Sequence, residues 1–288
     1  MIAVIGATGN TGRAAVQELR ALGENPLCVV RNEAKAREVL GGDARITVAE
    51  ITDRPALEKA LTGIRNVFMV TGHNPQTDEQ QINILEAANA AGVEFFVKVS
   101  GGRSVVGPDS ESIVGRAHHK VEEAVRKSGL KWAILRPGLF MQNTLLQAPL
   151  IKSESKMVLA FPRDVPIAFI DTRDSGAFAA RVVRDPVTHA GKTYEYTGVR
   201  SSFGEFAAAF SDVLQRPIAY VQISLEQAEE TMKSRGMPEW LIAHQIAVAR
   251  IAAAGGFSTE NVQPFVELVG RRPATLKQFV EDHRGVFA

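Results

Sequence analysis

Ile2-Ala3-Val4-Ile5-Gly6-Ala7-Thr8-Gly9-Asn10-Thr11-Gly12-Arg13 is the stretch that decides the fold. Four apolar residues run into three spaced glycines, and an amphipathic stretch over 11–22 follows at once. That order reads as a buried strand, a tight turn and a helix. Gly6 can make the turn, Gly9 lets a backbone approach a pyrophosphate, and Gly12 lets the helix pack close to the strand. Amides and dipole at the helix N-terminus supply an anion site. Thr8, Asn10 and Thr11, lying among these glycines, belong to the same expected contact set. A glycine turn kept for packing alone is the bland alternative. The position, directly after an apolar strand and before a helix, favours a dinucleotide.

Working outward, the first two-thirds of the chain alternates β-rich runs with amphipathic ones. Strands are expected over 2–5, 26–31, 45–50, 66–71, 94–100 and 131–136. They are rich in Val, Ile and Phe without alternation, as in strands buried on both faces. Helices are expected over 11–22, 55–61, 77–91 and 117–128, with Gly23, Gly63, Gly92 and Gly129 placed to end them. The fold class is α/β: a doubly wound, mostly parallel Rossmann sheet with a smaller α+β substrate lobe from the C-terminal part. After Gly138 the pattern changes to short strands over 157–160 and 166–170, a helix over 174–183, a strand over 193–197, a helix over 203–214, and a helical tail over 225–254 broken at Gly236-Met237-Pro238. Residues 1–150 are assigned to the nucleotide-binding domain, which also receives 171–197. Residues 151–170 and 198–288 are assigned to the lobe.

Composition narrows the function. With 33 basic and 32 acidic residues the net charge is +1, which gives no reason to expect nucleic acid or an anionic membrane as partner. No apolar run approaches the ~20 residues that span a bilayer. The single cysteine, Cys28, sits in an apolar run and reads as a small core residue rather than a nucleophile. A reducing cytoplasm is the default location. No histidine has the spacing of a metal site, so no metal is expected.

The end of the second strand selects the dinucleotide. An acidic residue there would bind the ribose hydroxyls and repel a 2′-phosphate. This chain has Val30-Arg31-Asn32-Glu33-Ala34-Lys35 instead. Arg31 and Lys35 can pair a 2′-phosphate, which favours NADPH. Glu33 lies two residues past the usual acidic position.

The opening glycines, the 30–36 segment, Ala49-Glu50-Ile51-Thr52-Asp53 and the stretch over 128–143 together resemble the NmrA-like atypical short-chain reductases; so do 166–183 and 194–224. The resemblance runs over essentially the whole chain and is nearest to bacterial NADPH-dependent quinone, azo-dye and triphenylmethane-dye reductases. It implies that Glu50 and Ile51 lie beside the adenine, with Glu50 standing where the family has Asp. It places Thr71 and Gly72 near the nicotinamide ribose, and Pro137, Phe140 and Asn143 along the nicotinamide side of the cleft.

A missing motif is equally informative. Short-chain dehydrogenases that work through a Tyr-x-x-x-Lys pair carry it on the helix after strand five, whereas the tyrosines here are Tyr194, Tyr196 and Tyr220, far downstream. That mechanism is excluded, which also counts against the sugar epimerases that share it. In its place stands His118-His119-Lys120-Val121-Glu122. Residues four apart share a helix face, so Glu122 is expected to hold the tautomer of His118, which could protonate a reduced substrate. A surface His–Glu pair is the alternative. Lys120 points elsewhere, at about 100° per residue, and reads as solvated or phosphate-facing.

On the substrate side, 72–76, a flexible 101–115 loop and 139–143 are expected to border the cleft, with Phe161, Met237 and Trp240 closing it over a small aromatic substrate. A homodimer is compatible with the sequence. The leading function is NADPH-dependent hydride transfer to a quinone, azo dye or similar electrophile. The competing class is a non-catalytic dinucleotide sensor of the NmrA type; a lyase or isomerase is disfavoured by the missing tyrosine.

Overall fold

The glycine turn obeys a hard steric limit. In the computed structural model, which describes residues 1–288, β1 (Ile2–Ile5) ends at Gly6 with φ +87°. A Cβ there would lie 1.7 Å from the Val70 carbonyl oxygen, so no side chain fits. The next element, α1 (Asn10–Ala21), begins beneath that turn, and a Cβ on Gly12 would lie 2.1 Å from the Gly6 carbonyl oxygen.

From there the chain winds through β2 (Leu27–Val30), α2 (Glu33–Leu40), β3 (Ile46–Val48), α3 (Arg54–Leu61), β4 (Asn66–Met69), α4 (Thr77–Ala90), β5 (Phe95–Val99), α5 (Ile113–Lys127) and β6 (Lys131–Pro137). It continues through β7 (Leu139–Phe140), α6 (Ala148–Glu154), β8 (Lys156–Leu159), β9 (Ile167–Ile170), α7 (Thr172–Arg184), α8 (Pro186–His189) and β10 (Lys192–Tyr196). The remainder is β11 (Val199–Ser201), α9 (Phe203–Leu214), β12 (Ala219–Gln222), α10 (Leu225–Ser234), α11 (Glu239–Ala253), α12 (Gln263–Val269), α13 (Leu276–Asp282) and α14 (Arg284–Phe287).

Seven strands form one sheet in the order β3-β2-β1-β4-β5-β6-β10, every neighbouring pair parallel. The order reverses between β1 and β4, and ligands of such sheets bind outside the carboxyl ends at that point. Helices cover both faces. One core joins Val4, Phe68 and Val97 to α1, α2 and α7; the other joins Ile5, Met69 and Phe96 to α3, α4 and α5. This explains the continuous apolar strands of the sequence. Two small sheets, β11-β9-β7 and β12-β8, carry a third core around Met141, Phe169, Phe206, Phe210 and Phe279. The neighbouring 157–160 and 166–170 strands therefore enter different sheets. No helix is long and apolar enough to cross a membrane.

α1 and α7 pack through small residues. A Cβ on Gly176 would lie 2.5 Å from Ala14 Cβ and 2.6 Å from the Ala15 nitrogen. Gly176→Ala gains about 1 kcal/mol in helix propensity, but the clash with backbone costs about 1–3 kcal/mol plus the shift of α1 that relieves it. Urea unfolding is expected to show a net destabilisation, and an unchanged or raised midpoint would refute the packing argument.

Candidate functional site

The phosphate-side geometry separates the three glycines. Gly6 and Gly12 are required by packing, but Gly9 is not. Its φ is −77° and a Cβ would meet only the Gly6 carbonyl oxygen at an ordinary 3.5 Å. Glycine at this exposed position leaves the outer face open. Gly9 is also the N-cap of α1 and offers no side chain to its amides, whereas Asn32, Asp53, Ser112, Asp171 and Ser202 cap α2, α3, α5, α7 and α9. Unsatisfied amides on an open face form an anion cradle. Thr8, Asn10 and Thr11 line this turn, with Asn10 exposed and Thr11 buried.

Arg31 and Lys35 are both exposed at the β2–α2 junction, and neither has a carboxylate partner. Glu33 is taken by Arg37 at 2.6 Å, one turn along α2. Glu50 is exposed, and the Ile51 carbonyl accepts a hydrogen bond from Asn83 Nδ2 at 2.7 Å. Thr71 Oγ1 accepts one from Gln81 Nε2 at 2.8 Å, while a Cβ on Gly72 would meet nothing within 4 Å. Pro137, the last residue of β6, is buried, while Phe140 is half-buried and Asn143 exposed just beyond it.

His118 and Glu122 share a face of α5, as their spacing predicts, and both are buried. They do not pair. Glu122 accepts from Ser100 Oγ (2.7 Å), Arg136 Nη2 (2.6 Å) and Nε (2.9 Å), and Arg126 Nη2 (2.8 Å). Burial pushes the carboxyl up, but the hydrogen bonds from Arg136 and Ser100 and the Arg136 charge outweigh it and hold it at about 2. With both oxygens occupied, Glu122 cannot set the His118 tautomer, and that expectation is corrected.

Lys98 contacts His118 instead. It projects from β5 toward α5, fully buried, with Nζ 3.0 Å from His118 Nδ1 and 3.1 Å from the Val99 carbonyl, to which it donates. A protonated lysine has no acceptor atom, so His118 Nδ1 then accepts and the imidazole proton lies on Nε2. A Cβ on Gly101 would lie 3.2 Å from His118 Cδ2 and 3.9 Å from Nε2, so this ring edge faces the turn that follows β5. Burial lowers the Lys98 ammonium, Glu122 pulls it back up and Arg136 lowers it again, leaving it at about 7. Burial, then Lys98, His73 and His244, hold His118 well below the usual imidazole range.

Two further imidazoles complete the cluster. The His73 ring stands edge-on to His118, centroids 5.2 Å apart, and lies 6.0 Å from His244. His73 keeps solvent-exposed surface although protein surrounds much of its ring, and this enclosure, with His244 and Lys98, lowers it. His244 comes from α11, and its Nδ1 is 2.7 Å from Ser112 Oγ, the cap of α5. Arg250 of α11 pairs with Glu111 beside it. The three rings are not arranged to hold a metal ion.

The 101–115 segment runs as turns and bends up to Ser112. Its end forms the first turn of α5, and a Cβ on Gly115 would lie 2.1 Å from the Val105 carbonyl oxygen. Phe161 is buried against Phe203, ring centroids 4.8 Å apart, in the third core. It is Phe257 that approaches Gly102, at 3.7 Å from its Cβ direction. Met237 and Trp240 are half-buried around the α10–α11 turn. Lys120 is exposed and bound to Asp78 at 2.9 Å. Sequence reasoning missed Lys98 and His244, and held His73 and Ser112 only as members of the 72–76 and 101–115 segments bordering the cleft. Only Lys98 leaves a signal, as a lone charge inside Phe95-Phe96-Val97-Lys98-Val99.

The NmrA-like family model matches residues 1–266. An NAD(P)H azoreductase from Xenophilus azovorans is 32% identical over 288 residues, covering 100% of this chain and 99% of that protein. Quinone oxidoreductase 2 from Escherichia coli is 28% identical over 285 residues, 97% of each chain. Its crystal structure complexed with NADPH superimposes with a TM-score of 0.87 at 27% identity, over 98% of this chain and 99% of that one. The Citrobacter sp. triphenylmethane reductase complexed with NADP(H) shares the fold, with a TM-score of 0.84 at 21% identity over 98% and 99% of the two chains.

The Glu122 network carries a pH signature. A carboxyl held at about 2 contributes stability that is fully present above its ordinary value of 4.5 and is lost as pH falls toward 2. Glu122→Gln is expected to destabilise by on the order of 3 kcal/mol at neutral pH. Denaturant unfolding should show this gap to the parent closing between pH 4.5 and 2. A gap independent of pH would remove the carboxylate from the account.

Proposed function

The chain belongs to the NmrA-like family, and we propose that it is an NADPH-dependent reductase of quinones, azo dyes or related flat aromatic electrophiles. The observation that carries this reading is the buried Lys98–His118 pair at the carboxyl end of β5, where a reductase needs a proton donor. A protein that only senses a dinucleotide has no use for it. The 32% and 28% identical relatives, an azoreductase and a quinone oxidoreductase, support the same reading.

The residues present fit a dinucleotide. Gly9 leaves a face that a side chain would fill, and the α1 amides behind it lack a cap. These amides, with Thr8, Asn10 and Thr11, hold the pyrophosphate, while Arg31 and Lys35 clamp the 2′-phosphate. Glu50 and Ile51 border the adenine, and Thr71 and Gly72 the nicotinamide ribose. Pro137, Phe140 and Asn143 form the nicotinamide wall. Bound there, the cofactor supplies a hydride. The chain's own task is to position a planar acceptor and to present His118 Nε2–H to the oxygen or nitrogen that gains electrons. We place this activity in a reducing cytoplasm, which suits the single buried Cys28, its thiol pushed up to about 11 by burial.

NADPH and NADH oxidation against a panel of quinones and azo dyes tests the reading. Turnover is expected to prefer NADPH. Arg31→Ala should raise the KM for NADPH about 10- to 100-fold, the loss of one charge-assisted contact, and leave that for NADH unchanged. Tight NADPH binding without turnover on any acceptor would overturn the reductase in favour of a sensor.

A further inference from the structure

We propose that Lys98 is the proton source behind His118: as the substrate accepts a hydride, His118 Nε2–H passes its proton to the resulting anion while Lys98 Nζ delivers one to His118 Nδ1. This rests on the reductase reading and names the origin of its proton. Lys98 acts through His118 and is a positioning residue.

A fully buried ammonium is costly unless a carboxylate pairs with it. Lys98 enters no salt bridge; Glu122, the buried carboxylate on the helix it faces, is given to Arg126 and Arg136. Its hydrogen-bond partners are one carbonyl and the imidazole nitrogen. A methionine would fill the same channel without that penalty, so the charge is kept for what it does to His118.

Imidazole chemistry requires such a partner. A neutral ring gives up its N–H only if its other nitrogen gains a proton in the same event, and the charged ring is disfavoured here by burial and by Lys98. The balance is complete. Before the step Lys98 is an ammonium, Nδ1 carries a lone pair and Nε2 carries the proton. Afterwards Lys98 is a neutral amine, Nδ1 is protonated, Nε2 is free, and the substrate has gained one hydride from the dihydronicotinamide and one proton. Water resets the pair from the side of His73, the exposed member of the cluster. An ammonium near 7 is suited to the task because it is half charged at neutral pH. The other ionisable groups around the pair are His73 before α4, His244 on α11, Glu122 on α5 and Arg136 on β6.

The test separates the proton from the hydride. A quinone needs both, whereas a cationic triphenylmethane dye such as crystal violet is reduced to its neutral leuco form by hydride alone. Lys98→Met is expected to lower kcat on a quinone about 100-fold and on the dye by no more than about threefold, with KM for NADPH unchanged. Equal loss on both acceptors, or none on the quinone, overturns the relay. A second measurement needs neither turnover nor cofactor: ¹⁵N NMR of the histidines in the chain alone. His118 should hold its proton on Nε2 at low pH and shift toward Nδ1 with a midpoint at about 7 as Lys98 deprotonates. Lys98→Met should abolish the shift. A His118 tautomer indifferent to pH and to Lys98 overturns the proposal. The coupled shift without turnover on any acceptor supports the pair and overturns only the reductase reading.

Discussion

At the carboxyl ends of β1 and β4 two backbones meet with no room for a side chain between them. Gly6 lies so close to the Val70 carbonyl that a methyl group would overlap it. This contact fixes where the sheet's strand order reverses, where α1 starts, and therefore where the helix amides point. Directly after Val70 come Thr71, Gly72 and His73, so the same approach that builds the phosphate turn delivers the outermost imidazole of the histidine cluster. The nucleotide side and the proton side are joined by backbone, not by side chains that could drift.

The charges near this junction follow a different rule. A sheet buried on both faces tolerates ionisable groups only where hydrogen bonds replace water. Two solutions stand side by side where α5 packs on β5. Glu122 is satisfied by two guanidinium groups and a hydroxyl, which fixes it as a carboxylate and uses up its acceptors. Lys98 is left with a carbonyl and an imidazole, which leaves its proton mobile. The saturated group holds α5 against β6, and the unsaturated one is available for chemistry.

Much of the fold could be read from the chain because it is local. Strand and helix periods, the glycine turn and the terminating glycines each occupy a single window, and all six strands expected over the first 136 residues are present. β7, β11 and β12 were not legible; each has two to four residues, and their existence depends on partners distant in sequence. The start of α5 at Ile113 was hidden by Gly115, a glycine demanded by the approach of Val105 rather than by a loop. The site divides the same way. The glycines, Arg31 and His118 follow from spacing. The partner of Glu122 did not, because helical spacing names the residue that shares its face but not Arg136, which arrives from the next strand. Lys98, His73, Ser112 and His244 come from four segments that only the folded chain brings together.

The seventh strand of the sheet comes late. β10 ends at Tyr196, and α7 just before it covers α1 and much of one core. A chain emerging from the ribosome makes β1 through β6 within its first 137 residues, yet at about 5–20 residues per second it then waits several seconds for the helix and the edge strand that seal them. During that interval Ala14, Ala15 and the β6 edge lie bare. These surfaces stay uncovered until α7 and β10 have been made, over a window set by the length of the 138–196 stretch.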